Sequence, residues 1–399
     1  MDFATGSIYE ECYKEHIENN GRKFWVIRRI GELMIKVLVV VKTLALGGVG
    51  SVIFAYYDAI RNQRITDIHM DFAAGNPIEK RYMDEIEAGG SKLFITNKDK
   101  NPISYVRQIE QIVRNGHYEI VHVHGNSALI TPDLFGAMLG GARKRIAHSH
   151  NTTCDNLRLN ALMRPVFNML YTDALACGKD AGYWMFGNKS FIVLKNGIEL
   201  DKYKFCSITR KKIRQELGVG DATVLGHVGS FNYQKNHELL IKIFEEYHRI
   251  KPDTVLLLVG DGETKASIEE QTKKYELEDS VLFYGVSDNV LELLMAMDCF
   301  LLPSRFEGLP CVIVEAQATG LPCVVSDKVS PEAKMSEHYR SVCIDKGTSY
   351  WCSEIVTIGE DERKLCSEQN CSVLRNKGYD INAAVNQLIA VYSDTPRRM

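Results

Sequence analysis

Short, nearly continuous apolar runs alternate with longer helical patterns along this chain, and that rhythm limits its fold more than any other feature. Such runs read as strands covered on both faces, and parallel neighbours of this kind need crossover helices to join them. The first series is Ile35 to Val41, Ile68 to Phe72, Leu93 to Ile95, Ile120 to Val123, Arg145 to His148, Leu175 to Cys177 and Ile192 to Leu194. The second is Val224 to Val228, Val255 to Val259, Val281 to Tyr284, Cys299 to Leu302, Cys323 to Val325 and Val342 to Ile344. Between them the rhythm pauses from Asp201 to Asp221, where Lys202, Lys204, Arg210, Lys211, Lys212 and Arg214 predict a solvated basic connector, not a core element. The expected class is α/β, with two doubly wound parallel-sheet domains facing across a cleft and ligands beyond the carboxyl ends of the strands. The expected domains are residues 34–205 and 206–375, preceded by an extension, 1–33, and followed by a helix within 376–399 that packs back on the first domain.

At 399 residues the chain is long for a single core. A formal charge of -3 supplies no field to hold a polyanion, which argues against nucleic acid as the main partner. The eleven cysteines are odd in number and never spaced as CxxC, a pattern that fits neither a disulfide framework nor a zinc knuckle and suits a reducing cytoplasm. No apolar run approaches the ~20 residues that span a bilayer. Residues 1–33, with Glu10, Glu11, Lys14, Glu15 and Glu18, are mostly polar up to Phe24. They are expected to be a flexible extension, or to precede a true start at Met34.

The segment after Cys299 to Leu302 carries the most chemistry. It reads Pro303-Ser304-Arg305-Phe306-Glu307-Gly308-Leu309-Pro310, and then Cys311 to Gly320. Pro310 suits a first helical position and Gly320 a helix C-cap, which puts Glu307 in a strand-terminal loop and Glu315 inside the helix. Three and four positions from Glu315 stand Cys311, Val312, Ala318 and Thr319, none of them cationic. A carboxylate on so apolar a helix needs outside donors, and the vicinal hydroxyls of a ribose are suited to the task. The plainer reading is a core glutamate that caps a backbone group.

A second pattern follows Val224 to Val228, where Gly229-Ser230-Phe231-Asn232-Tyr233-Gln234-Lys235-Asn236-His237 leads into a helix. A glycine turn, a lysine and a helix N-terminus together make an anion site, although a surface lysine before a helix is commonplace. In the first domain Leu46-Gly47-Gly48-Val49-Gly50-Ser51 follows a strand, and Asp71 ends the next one. A nicotinamide-binding reading fails because Ile53 falls where the third fingerprint glycine belongs. Two histidine pairs, His122 with His124 and His148 with His150, each share a strand face. They would build a metal site only with ligands the spacing does not supply, so no metal is expected.

Residue by residue, Ser304, Glu307, Gly308, Pro310, Glu315 and Ala316 resemble the E-x7-E element of family-4 retaining glycosyltransferases with the GT-B fold. That resemblance runs from Met34 onward and implies two Rossmann-like domains. It implies that Glu307 touches the sugar ring, Glu315 the donor ribose, and the amides of Gly308 and Leu309 the sugar and phosphate end. Gly229 and Lys235 resemble the diphosphate element G-R-F-x-x-x-K-N, with Ser230 standing where the family has arginine and Arg305 a candidate substitute. Gly48 matches the glycine pair near donor or acceptor, and Gly260-Asp261-Gly262 and Gly285-Val286 match strand-terminal turns of the donor side. A family histidine on the acceptor side aligns with His150, with His148 as the fallback, and near-neutral imidazole can handle a proton.

The sequence has no D-x-D pair, so Lys235 and loop amides would replace a divalent ion, and no cofactor is expected. The resemblance is nearest to bacterial capsular and exopolysaccharide enzymes. It implies a nucleotide diphosphate sugar, such as a UDP-sugar, as donor and a glycan or lipid-linked oligosaccharide as acceptor. It also implies a cytoplasmic protein working at the inner membrane face, where Arg143-Lys144-Arg145 would favour anionic lipid. Two other readings stay open: another GT-B enzyme on nucleotide sugars, such as an epimerase, and a non-catalytic binding subunit, for which Ser230 is the best argument.

Overall fold

Twelve of the thirteen apolar runs fall on parallel strands and the last strand lies just before its run, giving seven strands in one sheet and six in another. The computed structural model describes residues 12–19, 22–29 and 34–394, except 46, 64, 66, 99, 100 and 155. Counting strands in chain order within each sheet, the first runs 3-2-1-4-5-6-7 and the second 3-2-1-4-5-6, so each winds outward both ways from its first strand. Those first strands, Ile35–Leu44 and Thr223–Val228, each pair in parallel with neighbours on both sides. The strand order reverses beside them, which is where a doubly wound sheet opens a crevice.

Burial on both faces explains the continuous apolar runs. Val37, Val39 and Val41 join one core cluster while Leu38 and Val40 join the other, and Leu257 and Val259 separate from Leu256 and Leu258 in the same way. Each such side chain contributes about 1.5–3 kcal/mol on burial, so a strand with a polar alternate face would be poorly tolerated here.

The helix Ile381–Ser393 crosses back to the first sheet. Its Ile381, Ala384, Val385, Leu388 and Tyr392 lie in the cluster that holds Val37 and Val39. The chain passes between the domains twice, and the passages are tied where Ile198 N donates to Tyr379 O at 2.9 Å and Ile381 N to Ile198 O at 3.0 Å. Gly197 is required there, because a Cβ would sit 2.9 Å from the Ile381 Cα. Further contacts join the domains: Lys195 Nζ to Glu332 Oε2 at 3.0 Å, and Arg81 to Asp288 at 3.2 Å.

Four expectations need correction. The basic connector is a core element: Ser207–Glu216 is a helix whose Arg210 and Arg214 reach Asp298 at 2.5 and 3.1 Å and donate to the Ala296 carbonyl. Arginine can be buried this way because its planar fork satisfies several acceptors at once. The last strand is Tyr339–Val342, not Val342 to Ile344, since Ile344 N is drawn off to Asp327 Oδ1. Pro310 is the N-cap of Cys311–Ala318, in extended conformation, and not its first helical residue. Finally, Cys12–Asn19 and Arg22–Arg29 pair as an antiparallel hairpin within the supposed flexible extension. Glu10 and Glu11 lie outside the described residues.

Candidate active site

The second domain's site is built from two strand-terminal loops. Gly229 follows Thr223–Val228, and its missing side chain makes room for Lys235, whose Cε would lie 2.9 Å from a Cβ at that position. Gly260 and Gly262 pack against the same loop, where Cβ atoms would meet the Gly229 and Phe231 carbonyl oxygens at 2.1 and 2.4 Å. Asn236 adopts the left-handed conformation (φ 58°) as N-cap of His237–Ile250, and its Nδ2 donates to the buried Pro303 carbonyl at 3.0 Å. That bond ties the lysine loop to the loop holding Glu307. Lys235 Nζ consequently reaches Glu307 Oε1 at 2.6 Å, and Ser304 Oγ reaches the same oxygen at 3.3 Å.

Beyond Glu307, the amides of Gly308 and Leu309 have no acceptor among the described residues, although both residues are buried. Backbone N–H groups left without a partner in a strand-terminal loop are the kind of donor that can receive an anion. Gly308 also faces the first domain, with Thr152 Cγ2 3.8 Å from the position of a Cβ.

Glu315 is partly buried on Cys311–Ala318, and the Tyr203 hydroxyl is the side-chain hydrogen-bond partner of its carboxylate. Desolvation pushes its carboxyl up to about 7, while the Tyr203 hydroxyl pulls the other way. The backbone-capping alternative is therefore not what the structure contains. Tyr203 was missed in the sequence, since it lies in a lysine-rich stretch with no motif around it.

Val286 is exposed just beyond the strand Val281–Gly285, with Gly285 at φ 82° turning the chain. Gly48 is exposed at the start of the helix Gly48–Asn62 with nothing within 4 Å of a Cβ, whereas Gly50 is fixed by packing, 3.0 Å from the Tyr82 hydroxyl. Asp71 is occupied by Tyr118 Oη at 2.6 Å and Lys92 N at 2.6 Å, so it is a structural carboxylate, as the failed nicotinamide reading requires. Arg305 is not a free substitute for the missing arginine: it lies over the Tyr233 ring and donates to Tyr233 O at 2.6 Å and Glu238 at 3.2 Å. Ser230 itself is exposed.

In the first domain the four histidines make a two-by-two stack. His122 Nε2 lies 3.1 Å from His148 Nδ1, and His124 Nδ1 lies 2.8 Å from His150 Nε2. The His122 and His124 rings are stacked at 4.2 Å, and those of His148 and His150 lie at 4.2 Å with a tilt of 33°. Tyr392 of the C-terminal helix closes the far end at 2.7 Å from His122 Nδ1. Nitrogens of His122, His124 and His148 come within 4.8 Å of one another, close enough for a metal, but each pair directs its nitrogens at its partner ring. Burial lowers the pKa of all four, that of His150 to about 4, so its imidazole is neutral at pH 7 and not poised near neutrality as expected. His148 Nε2 and His150 Nδ1 are buried without partners, and His150 is the less enclosed residue of the two.

The comparisons with known proteins decide the family. A sequence profile described as Glycosyl transferases group 1 matches residues 209–353, which include both loops of the donor side. Over 380 residues the chain is 30% identical to the putative glycosyltransferase EpsF of Bacillus subtilis (strain 168), an overlap of 90% of this chain and 96% of that one. The chain belongs to the group 1 glycosyltransferases. This glycosyltransferase is also 24% identical over 377 residues to the UDP-Gal:alpha-D-GlcNAc-diphosphoundecaprenol alpha-1,3-galactosyltransferase of Escherichia coli, covering 88% of this chain and 94% of that one. Its fold is similar to that of Anabaena Alr3699/HepE, solved in complex with UDP and glucose, with a TM-score of 0.75 over 90% of this chain and all of that one at 16% identity. The two parallel sheets are thus the paired domains of a GT-B glycosyltransferase.

Proposed function

We propose that this glycosyltransferase moves a hexose from a UDP-sugar to a hydroxyl of a lipid-linked glycan, with retention of configuration and without a metal ion, in the synthesis of a bacterial surface polysaccharide such as a capsule or exopolysaccharide. The carrying observation is the contrast within one segment: Glu307 is held against Lys235 at 2.6 Å, while Glu315 stands on an apolar helix with no cation and only the Tyr203 hydroxyl beside it. A ribose would add two hydroxyl donors to the one Tyr203 already offers Glu315. A diphosphate would take Lys235 and the free amides of Gly308 and Leu309, leaving Glu307 to turn toward the sugar.

Transfer requires that charge building on the leaving diphosphate be neutralised by groups already in place. Lys235 and the two amides would do this, and Glu307 would steady the positive charge developing on the sugar ring. His150 carries a neutral imidazole whose unpartnered Nδ1 offers a hydrogen bond to a sugar hydroxyl. The acceptor hydroxyl would enter from the leaving-group face. The printed name of the Escherichia coli relative, with its UDP-sugar and diphosphoundecaprenol, and the UDP complex of the Anabaena structure support the choice of donor and acceptor class. Such an acceptor would place the reaction at the cytoplasmic face of the membrane. The test is nucleoside diphosphate release from a panel of UDP-sugars with and without undecaprenyl-diphosphate glycans, and NMR of the new anomeric centre. Inversion, or product formed without acceptor, would overturn the proposal, the latter pointing to an epimerase.

One observation favours a second reading. Ser230 is exposed and Arg305 is occupied by Tyr233 and Glu238, so one cation fewer stands ready for the diphosphate than in the family pattern. A donor-binding subunit with little turnover would show UDP binding and no release of UDP from any sugar donor.

A further inference from the structure

The helix Leu157–Leu170 turns an apolar face to solvent. Leu159, Leu162, Val166 and Met169 recur at helical spacing along one stripe and are 41%, 75%, 50% and 80% exposed, and Leu157 extends the stripe at its start. Isolated exposed leucines are ordinary, but a stripe of this kind is the pattern a helix uses to bury a face. The opposite side is already satisfied: Phe167 and Leu170 are in the core, Asn160 accepts from Ala128 N at 2.9 Å, and Arg164 donates to the Met185 and Trp184 carbonyls. The neighbouring helix Thr131–Gly140 widens the patch with exposed Phe135, Met138 and Leu139.

The helix itself carries charges of one sign, with the exposed Glu119 lying beyond it next to Arg143. No acidic residue occurs from Asn156 to Tyr171, while Arg158 and Arg143 are exposed with no ion-pair partner among the described residues. Lys189, also exposed, lies beside the same helix, its Nζ 3.3 Å from the Asn168 carbonyl. Of the run Arg143-Lys144-Arg145, only Arg143 remains available, because Lys144 is buried against Asp173 at 3.3 Å and Arg145 is taken by the Leu170 and Ala142 carbonyls. A basic rim on a chain of net charge -3 fits an anionic surface. A second copy docked face to face would set Arg158 and Arg143 against their own counterparts.

The position relative to the cleft completes the case. The helix is entered directly from the loop that carries His150 and Thr152, and Thr152 faces Gly308 across the domains. We infer that the stripe from Leu159 to Met169 and the apolar end of its neighbour lie in the interface of an anionic membrane, with the mouth of the acceptor side at the lipid surface. This rests on the proposal of a lipid-linked acceptor, and it identifies the partner as a bilayer surface.

Flotation of the full chain with vesicles of phosphatidylglycerol and phosphatidylethanolamine tests it. Wild-type protein should float with them, several-fold less with phosphatidylcholine alone or at high salt. The double variant Leu162→Asp with Met169→Asp should float at least tenfold less, with Tm and the thermal shift by UDP unchanged, because both side chains are on the surface. Arg158→Glu should weaken binding several-fold on anionic vesicles only. Wild-type protein that stays in solution, or a double variant that floats as wild type, would overturn the inference. So would a wild-type dimer by light scattering that the double variant converts to monomer. A wild-type chain whose Tm does not move with UDP would instead sink the donor reading, whatever the vesicles show.

Discussion

Lys235 Nζ and Glu307 Oε1 stand 2.6 Å apart, so the cation proposed for the diphosphate and the carboxylate proposed for the sugar are paired with each other. A diphosphate entering this loop competes with Glu307 for the lysine. Glu307→Gln should therefore tighten UDP binding several-fold while lowering turnover by about a hundredfold or more, since a neutral amide cannot steady a positive sugar ring. Lys235→Ala should lose both. Calorimetry with UDP and a turnover assay on the same variants separate the effects; a Glu307→Gln enzyme of normal kcat would remove Glu307 from the site.

On the proposed role of Glu315, donor binding should depend on pH. Its carboxyl is raised from 4.5 to about 7 by desolvation, and a ribose bound through both hydroxyls needs the ionised form. UDP affinity should rise with pH through about 7 and level off above it, with proton release on binding below that point. Stability runs the other way. The folded chain holds this proton more tightly than the unfolded chain, so the contribution is full below about 4.5 and lost as pH rises through about 7. Glu315→Gln should flatten both profiles and weaken UDP binding; a variant that keeps the wild-type pH dependence of binding would reassign the titration.

The histidine stack makes a separate prediction because its rings are neutral and bonded to one another. Burial lowers His150 from 6.5 to about 4 and holds the other three well below their usual value. The unfolded chain then binds more protons than the folded chain, and stability should fall as pH drops from about 6.5 toward 4. Nitrogen NMR of the imidazoles should report neutral rings at pH 6. Dialysis against EDTA should leave turnover and Tm unchanged, and stoichiometric metal retained by His122, His124 and His148 would show that the pairs open to hold an ion instead.

Much of this was legible in the chain because the signals were local. Apolar runs, a glycine after a strand and two glutamates in one segment each depend on near neighbours, and the loops carrying Lys235 and Glu307 do meet at the carboxyl ends of the strands. What stayed hidden depends on distant partners. Arg210 and Arg214 looked solvated until Asp298 and the carbonyls of Met295 to Met297 were brought to them from more than eighty residues away. Tyr203 beside Glu315 and Tyr392 on His122 have the same origin. The neutral state of His150 was also out of reach, because burial is a property of the packed sheet and not of the dipeptide step between His148 and His150.

Ser230 offers the sharpest test of catalytic strength. Its side chain is exposed beside Gly229, so an arginine there meets solvent and not a packed wall, and its long stem can lie toward the diphosphate loop. Ser230→Arg should raise affinity for UDP about three- to tenfold, the range expected of one further partly exposed charge-assisted bond. Turnover should rise with it if the leaving diphosphate is underneutralised in the native chain. Tighter binding with unchanged turnover would mean that Lys235 and the Gly308 and Leu309 amides already suffice in the transition state. A loss of UDP binding would show that the loop holds the diphosphate on its other side, away from position 230, and the site would then have to be redrawn around Glu315 alone.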